Sequence, residues 1–143
     1  MFLHLDAVGG VAGDMFIAAV LDAFPDRRDG MVAAIRTAGL PEAVHLGIAE
    51  HRDHALTGLR FRVTEPHQPG ALAGARHHPH TPFAEIRAQL QACALAPAVK
   101  QHAIGIFTLL AQAEAKVHGK TVETVSFHEV GEWDSIADIV AAL

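Results

Sequence analysis

Apolar and polar positions alternate in "FLHLDA", and this two-residue period predicts a short strand over Phe2–Asp6. "VGGVAGD" interrupts the pattern with three glycines and ends at Asp14, whose short carboxylate side chain suits a helix N-cap. "MFIAAVLDAF" then reads as an apolar helix closed by Pro25, and "DGMVAAIRTAGLP" as a second helix. Gly39 is the expected C′ residue of that second helix, and Pro41 prevents its continuation. "AVHLGIAEH" and "LTGLRFRVTE" both alternate, which predicts two strands joined by a polar turn around His51 to His54.

Beyond them, "EPHQPGALAGARHHPHT" has no period and is rich in Pro, Gly and His, so residues 65–81 read as a mobile loop. "TPFAEIRAQLQACAL" predicts a helix with Thr81 as N-cap and Pro82 at the first helical position. "PAVKQHAIGIFTLLAQAEAKVHG" is the longest helical pattern, with Pro97 at its start, Gly119 as its stop and Ile104, Phe107, Leu110, Ala111 and Val117 as its buried stripe. In the final pattern, Ile136, Ile139, Val140 and Leu143 share one helix face. Asp134 and Asp138 share the opposite one, with Asp134 placed to cap the start.

These elements imply an α/β (α+β) fold: a small mixed sheet of three or four strands covered by helices in a single domain. Its parts are an α/β front half (1–64), the His/Pro/Gly-rich loop (65–81) and a helical back half (82–143).

Composition narrows the function. The chain has 143 residues, half of them hydrophobic, enough for one real core. Its net charge of −5 and lack of a Lys/Arg stripe exclude binding to a nucleic-acid backbone. No apolar run is long enough to span a bilayer, and no signal-peptide pattern follows Met1, so a cytoplasmic protein is expected. Cys93 is the only cysteine, which rules out an internal disulfide and a Cys-rich zinc site, and its Ala-rich helical surroundings predict a buried, inert thiol. The eleven histidines are more telling, because neutral imidazole is a common transition-metal ligand. The chain stops at "IVAAL", within a freshly started helix, as the front part of a longer protein would.

Three constellations carry candidate chemistry. In residues 118–138, His118, His128, Glu129, Asp134 and Asp138 offer the mixture of imidazole and carboxylate that divalent ions take. Taken singly, His118 also suits a helix C-terminus through the dipole, and Asp138 a solvated surface. In "HHPH", His78 and His80 lie two apart around Pro79, so in an extended segment they point the same way and can chelate a metal; an unstructured tract with incidental affinity reads equally well. In "LDAVGGVAGDM", Gly9, Gly10 and Gly13 between Asp6 and Asp14 could present backbone N–H groups to a phosphate, best through a bridging metal; a tight strand-to-helix turn explains the same glycines. This loop is neither the dinucleotide fingerprint nor a Walker loop, and neither serine sits on a nucleophile elbow.

The stretches "LHLDAVGGVAGDMFIAAVLDA" and "AQAEAKVHGKTVETVSFHEVGEWDSIADIV" resemble two blocks of the LarC family, the nickel insertion proteins of lactate racemase cofactor maturation. The His-containing stretch before "FAEI" is similar to a third block, whereas "EW" at 132–133 and the Ala141–Ala142 pair depart from the family pattern. The resemblance implies a CTP-dependent cyclometallase, of lyase class. Such an enzyme inserts nickel into pyridinium bisthiocarboxylic acid mononucleotide, forming two nickel–sulfur bonds and one nickel–carbon bond, to give the nickel pincer nucleotide. It further implies that CTP, with Mg or Mn, belongs to a C-terminal domain of the same protein. Apolar area uncovered without that domain would favour homo-oligomers.

Under this resemblance His128 and Glu129 are the expected catalytic pair. His78, His80, His118, His128, Asp134 and Asp138 are the expected metal ligands, and the loop of Asp6, Gly9, Gly10, Gly13 and Asp14 would hold the substrate phosphate. Two other functions fit the same residues: a non-catalytic nickel or zinc storage or sensing module, and a metal-dependent phosphoryl or nucleotide hydrolase.

Overall fold

The structure, a computed structural model, describes residues 2–7, 10–65, 81–127 and 133–143. It is a mixed α/β domain. Among the described residues are five α-helices: α1 (Gly13–Ala23), α2 (Arg28–Thr37), α3 (Phe83–Ala92), α4 (Pro97–His118) and α5 (Trp133–Ala141). Four strands join them: β1 (His45–Asp53), β2 (Leu56–Thr64), β3 (Thr81–Pro82) and β4 (Ser126–Phe127). The strands form two separate antiparallel ladders, β1–β2 and β3–β4, where one mixed sheet is the sequence expectation.

The hairpin follows its alternation. Leu46↔Val63 and Ile48↔Phe61 pair on the inner face, and Phe61 is buried beneath α1. Two-residue periodicity sends these side chains inward and Arg60 and Arg62 outward. The turn is tighter than the expected His51–His54 segment: only His54 and Ala55 separate the strands, with His54 at a φ of 51°.

The expected strand over Phe2–Asp6 does not form. Residues 2–7 have no regular structure and are exposed, Phe2, Leu3 and Leu5 included. Alternation defines two faces, but a strand also requires a ladder partner, and none of β1–β4 takes that place.

One core runs through both halves of the chain. Ile17 and Leu21 of α1, Ile35 of α2, Phe61, Ile86 and Leu90 of α3, Phe107 of α4 and Ile136 and Val140 of α5 are all buried in it. Phe127 of β4 meets Phe83 edge-on and Phe107 at a tilt, each pair of centroids 6.3 Å apart. Burial of each such ring contributes about 1.5–3 kcal/mol. In α4 the buried residues are Ala103, Phe107, Ala111 and Ala115, with Ile104 and Leu110 packed beside them. Val117, expected in the stripe, is 76 % exposed. A 22-residue helix is about 33 Å long and outruns the core it packs on. Leu143 is likewise exposed, just past the end of α5.

Three helix starts differ from expectation. Thr81 does not cap α3; it pairs with Phe127 in the β3–β4 ladder, Pro82 takes the N-cap position, and the Phe83 N–H donates to the Val125 carbonyl at 3.1 Å. Asp14 and Asp134 lie one residue inside their helices, not before them. Each carboxylate accepts the next N–H, from Met15 at 2.8 Å and from Ser135 at 2.6 Å. Cys93 also falls just past α3, half-buried, with its thiol donating to the Leu90 carbonyl at 2.9 Å. The stops fare better: Gly39 and Gly119 take φ values of 94° and 61°, the left-handed conformation that ends a helix.

Candidate acidic junction of the first and last helices

The start of α1 meets one face of α5, so residues 13–14 and 134–138 share a junction although more than a hundred positions separate them. Ala12 takes the N-cap position of α1 and has no side chain to close it. The Asp138 side chain of α5 comes up against this start, at the bare backbone of Gly13. Gly13 makes this approach possible. A methyl group there would lie 2.7 Å from both Cβ and Cγ of Asp138, and closer still to Oδ2.

Asp138 therefore does not sit on a solvated face. It is half-buried, and its carboxyl is pushed up to about 6. Burial is the largest cause, followed by the negative charges of Asp14 and Asp134; the Asp14 N–H pulls weakly the other way. Among the described residues no basic side chain pairs with any of the three aspartates. The arrangement is a concentration of negative charge with one member poorly solvated, and a cation would relieve it.

The other expected residues are distributed as follows. His118 ends α4, where Nε2 lies 3.4 Å from Oε2 of Glu114, one helical turn earlier. Among the described residues no three His, Cys, Asp or Glu side chains converge closely enough to hold a metal ion, so His118 and the aspartates do not form a ready cage. In the glycine loop, the Gly10 N–H donates to the Ala7 carbonyl at 3.0 Å, and Gly10 has a φ of 100°. The Met15 and Phe16 N–H groups are taken by Asp14 Oδ1 and the Ala12 carbonyl. Several donors that a bare phosphate would use are thus engaged within the chain, with Asp14 and Asp138 beside them. Asp6 is exposed in the irregular N-terminal segment. His78, His80, His128, Glu129 and Gly9 lie outside the described residues.

The contact between Gly13 and Asp138 is absent from the sequence reading. Helical periodicity places Asp138 opposite Ile136 and Val140 but does not say that another helix covers that face.

The family model described as nickel insertion protein matches residues 3–143, and the chain belongs to that family. A Myxococcus xanthus relative named for nickel insertion is 38% identical over 143 residues, covering 98% of this chain and 34% of its own. The pyridinium-3,5-bisthiocarboxylic acid mononucleotide nickel insertion protein of Akkermansia muciniphila is 38% identical over 140 residues, covering the same shares. The protein of that name from Desulfitobacterium hafniense is 38% identical over 144 residues, covering 98% of this chain and 32% of its own. The chain thus spans about a third of the length of the curated relatives it matches. No solved structure matches it. Among the described residues no helix is long and apolar enough to cross a membrane.

Proposed function

We propose that this chain takes part in inserting nickel into pyridinium bisthiocarboxylic acid mononucleotide, yielding the nickel pincer nucleotide of lactate racemase. In this reading it acts in the cytoplasm as one portion of a CTP-dependent cyclometallase. Family membership and the names of the relatives support the reaction class. The observation on this chain that carries the proposal is the junction of Asp14, Asp134 and Asp138, where a half-buried carboxylate faces two others with no basic partner.

Nickel is cargo here. It should be held firmly enough to be delivered and loosely enough to pass to softer sulfur. Carboxylate and imidazole ligands meet that need, because thiocarboxylate sulfur is the softer donor. Asp134 and Asp138 act as oxygen ligands, His118 and His128 as imidazole ligands or orienting partners, and His78 and His80 in uptake. Since the described residues form no three-ligand group, the ion is completed by residues beyond them or by the substrate's own sulfurs. Formation of the nickel–carbon bond breaks a ring C–H bond. The released proton passes to His128 or Glu129, which are of the right type to accept it. With the described loop donors engaged internally, the substrate phosphate approaches Asp6, Gly9, Gly10, Gly13 and Asp14 through a bridging cation. CTP with Mg or Mn belongs to the remainder of the family's length.

The test is to supply the whole protein with nickel, CTP and thiocarboxylated mononucleotide. Consumption of CTP only when that substrate is present, with nickel retained in the product, supports the proposal. CTP consumption without the substrate favours a hydrolase, and nickel binding without any turnover favours a storage module.

A further inference from the structure

The hairpin is a two-stranded sheet under a wider helical layer. β1 and β2 pair only with each other, so each has one free edge of backbone N–H and C=O groups. The two edges are not equivalent. α1 and α5 pack on β2 rather than β1, so the layer is centred on a strand at the border of its sheet. A helix with its side chains is about 10 Å wide and strands lie about 4.8 Å apart, so a helix centred on β2 also covers the position of one further strand beside it. Leu59, Phe61 and Val63 form the apolar face of β2 beneath that layer, while Arg60 and Arg62 point to the opposite side. The Arg60 guanidinium donates to Nε2 of His51 at 3.1 Å, and among the described residues neither arginine has a carboxylate partner.

Residues 2–6 are complementary to this edge. They alternate as a strand does but lie exposed, Leu3 and Leu5 each at 56 %. Placed beside β2 with both leucines on the inner face, they extend the row of Leu59, Phe61 and Val63 beneath the helices. The same register turns Asp6 outward, to the side of Arg60 and Arg62, and alternation fixes these faces for either direction of the strand. A shift of one residue would bury His4 and Asp6 and expose both leucines, so the register is strongly specified. Within one chain the segment runs free of its own hairpin, and the turn at Gly10, closed on the Ala7 carbonyl, leads it into α1. Every copy thus carries one unpaired strand and one open edge under its helices. Two copies that exchange residues 2–6 satisfy both at once, and the exchange closes on a two-fold axis. Direct pairing of one β2 with another would instead set arginines against arginines.

The geometry points to a strand-exchanged dimer: residues 2–6 of one copy pair along the free edge of β2 of a second copy, with Leu3 and Leu5 under the helices and Asp6 beside Arg60 and Arg62. The segment leads into the glycine loop, so the exchange brings the loop of each copy to the hairpin of the other. The inference stands apart from the proposed nickel chemistry and does not depend on it.

Sedimentation velocity of this chain over a wide range of concentration, with hydrogen exchange read at residues 3–6, tests it. The expected result is a monomer–dimer equilibrium in which those amides gain protection as the dimer forms. The variant with Leu3→Asp and Leu5→Asp should be monomeric and unprotected where the native chain is dimeric. Circular dichroism should show its helices intact, since neither leucine belongs to the core. Reversing the edge charges with Arg60→Glu and Arg62→Glu should weaken dimerisation by about tenfold, and adding Asp6→Lys should recover most of that loss. A native chain that stays monomeric with residues 3–6 unprotected would overturn the inference. Protection that does not depend on concentration would overturn it too, by showing that the segment closes on its own hairpin. A dimer unaffected by the leucine substitutions would place the interface elsewhere and contradict it. Should the leucine variant lose its helices, the charge series decides alone: recovery with Asp6→Lys supports pairing at β2, and its absence rules that pairing out.

Discussion

Helices α4 and α1 are closed in opposite ways. α4 carries its own punctuation: Pro97 at its first turn, and Gly119 in the left-handed conformation at its end, where the Gly119 N–H returns to the Ala115 carbonyl. α1 has no such device at its start, where Asp138 of α5 packs against the bare backbone of Gly13. The C-terminal ends of α2 and α3 follow α1 in this respect. Gln89 of α3 donates to the Ala38 carbonyl at 3.1 Å, and Lys100 of α4 donates to the Gln91 and Cys93 carbonyls at 2.9 and 2.8 Å. A helix end closed locally is insulated from the rest of the fold. An end closed from another helix ties its own geometry to the position of that helix, and at the α1–α5 junction the tie runs through the contact of Gly13 with Asp138.

The comparison is most severely tested at the two glycines. Gly13→Val should destabilise the fold by about 2–3 kcal/mol, because the added methyls must push α5 away from α1. Chemical denaturation checks this, and a loss no larger than that of an ordinary surface substitution would show that the junction is slack. Next comes Lys100→Met, which leaves two carbonyls at the end of α3 without their charged donor and should cost about 1–2 kcal/mol by the same measurement. Gly119→Ala is expected to cost about 1 kcal/mol, the strain of a methyl group in a left-handed residue, with no change in nickel binding.

These contrasts also separate what could be read in the sequence from what could not. The ends of α4 were legible because Pro97 and Gly119 act within one helical turn. The hairpin was legible because alternation over Leu46, Ile48, Phe61 and Val63 marks a buried face without reference to the rest of the chain. Asp14 and Asp134 were legible as carboxylates near helix starts, and Asp138 as a member of the polar face of the last helix. Their meeting was not, since Asp14 was read as a local cap and Asp138 as part of a polar face. The interaction that decides both is a packing of α5 on α1, and helical periodicity contains no term for which helix lies opposite. Phe2–Asp6 shows the same limit from the other side: the alternation is present, but no strand forms in the absence of a ladder partner.

The smallest expected effect concerns pH. The carboxyl of Asp138 is raised from an ordinary value near 4 to about 6 in the folded chain, so between those values the native state binds more protons than the unfolded one. Its contribution to stability is therefore fully present below pH 4 and is lost as pH rises through 6. The nominal shift corresponds to about 3 kcal/mol, but Asp138 is only half-buried, and screening by solvent reduces the expected effect to about 1 kcal/mol. Asp138→Asn keeps the shape of the side chain and removes the charge. It should be more stable than the native chain by about 1 kcal/mol at pH 7.5 and indistinguishable from it at pH 4, as thermal melts across that range would show.

The central claim is that nickel is handled where α1 and α5 meet. Its most direct test is a crystal of the protein soaked in nickel and measured on both sides of the nickel absorption edge. An anomalous peak is expected within coordination distance of an Asp138 carboxylate oxygen, with Asp134 or Asp14 adjacent. A nickel peak confined to the histidines at 77–80 or to His118, with the α1–α5 junction empty, would contradict it.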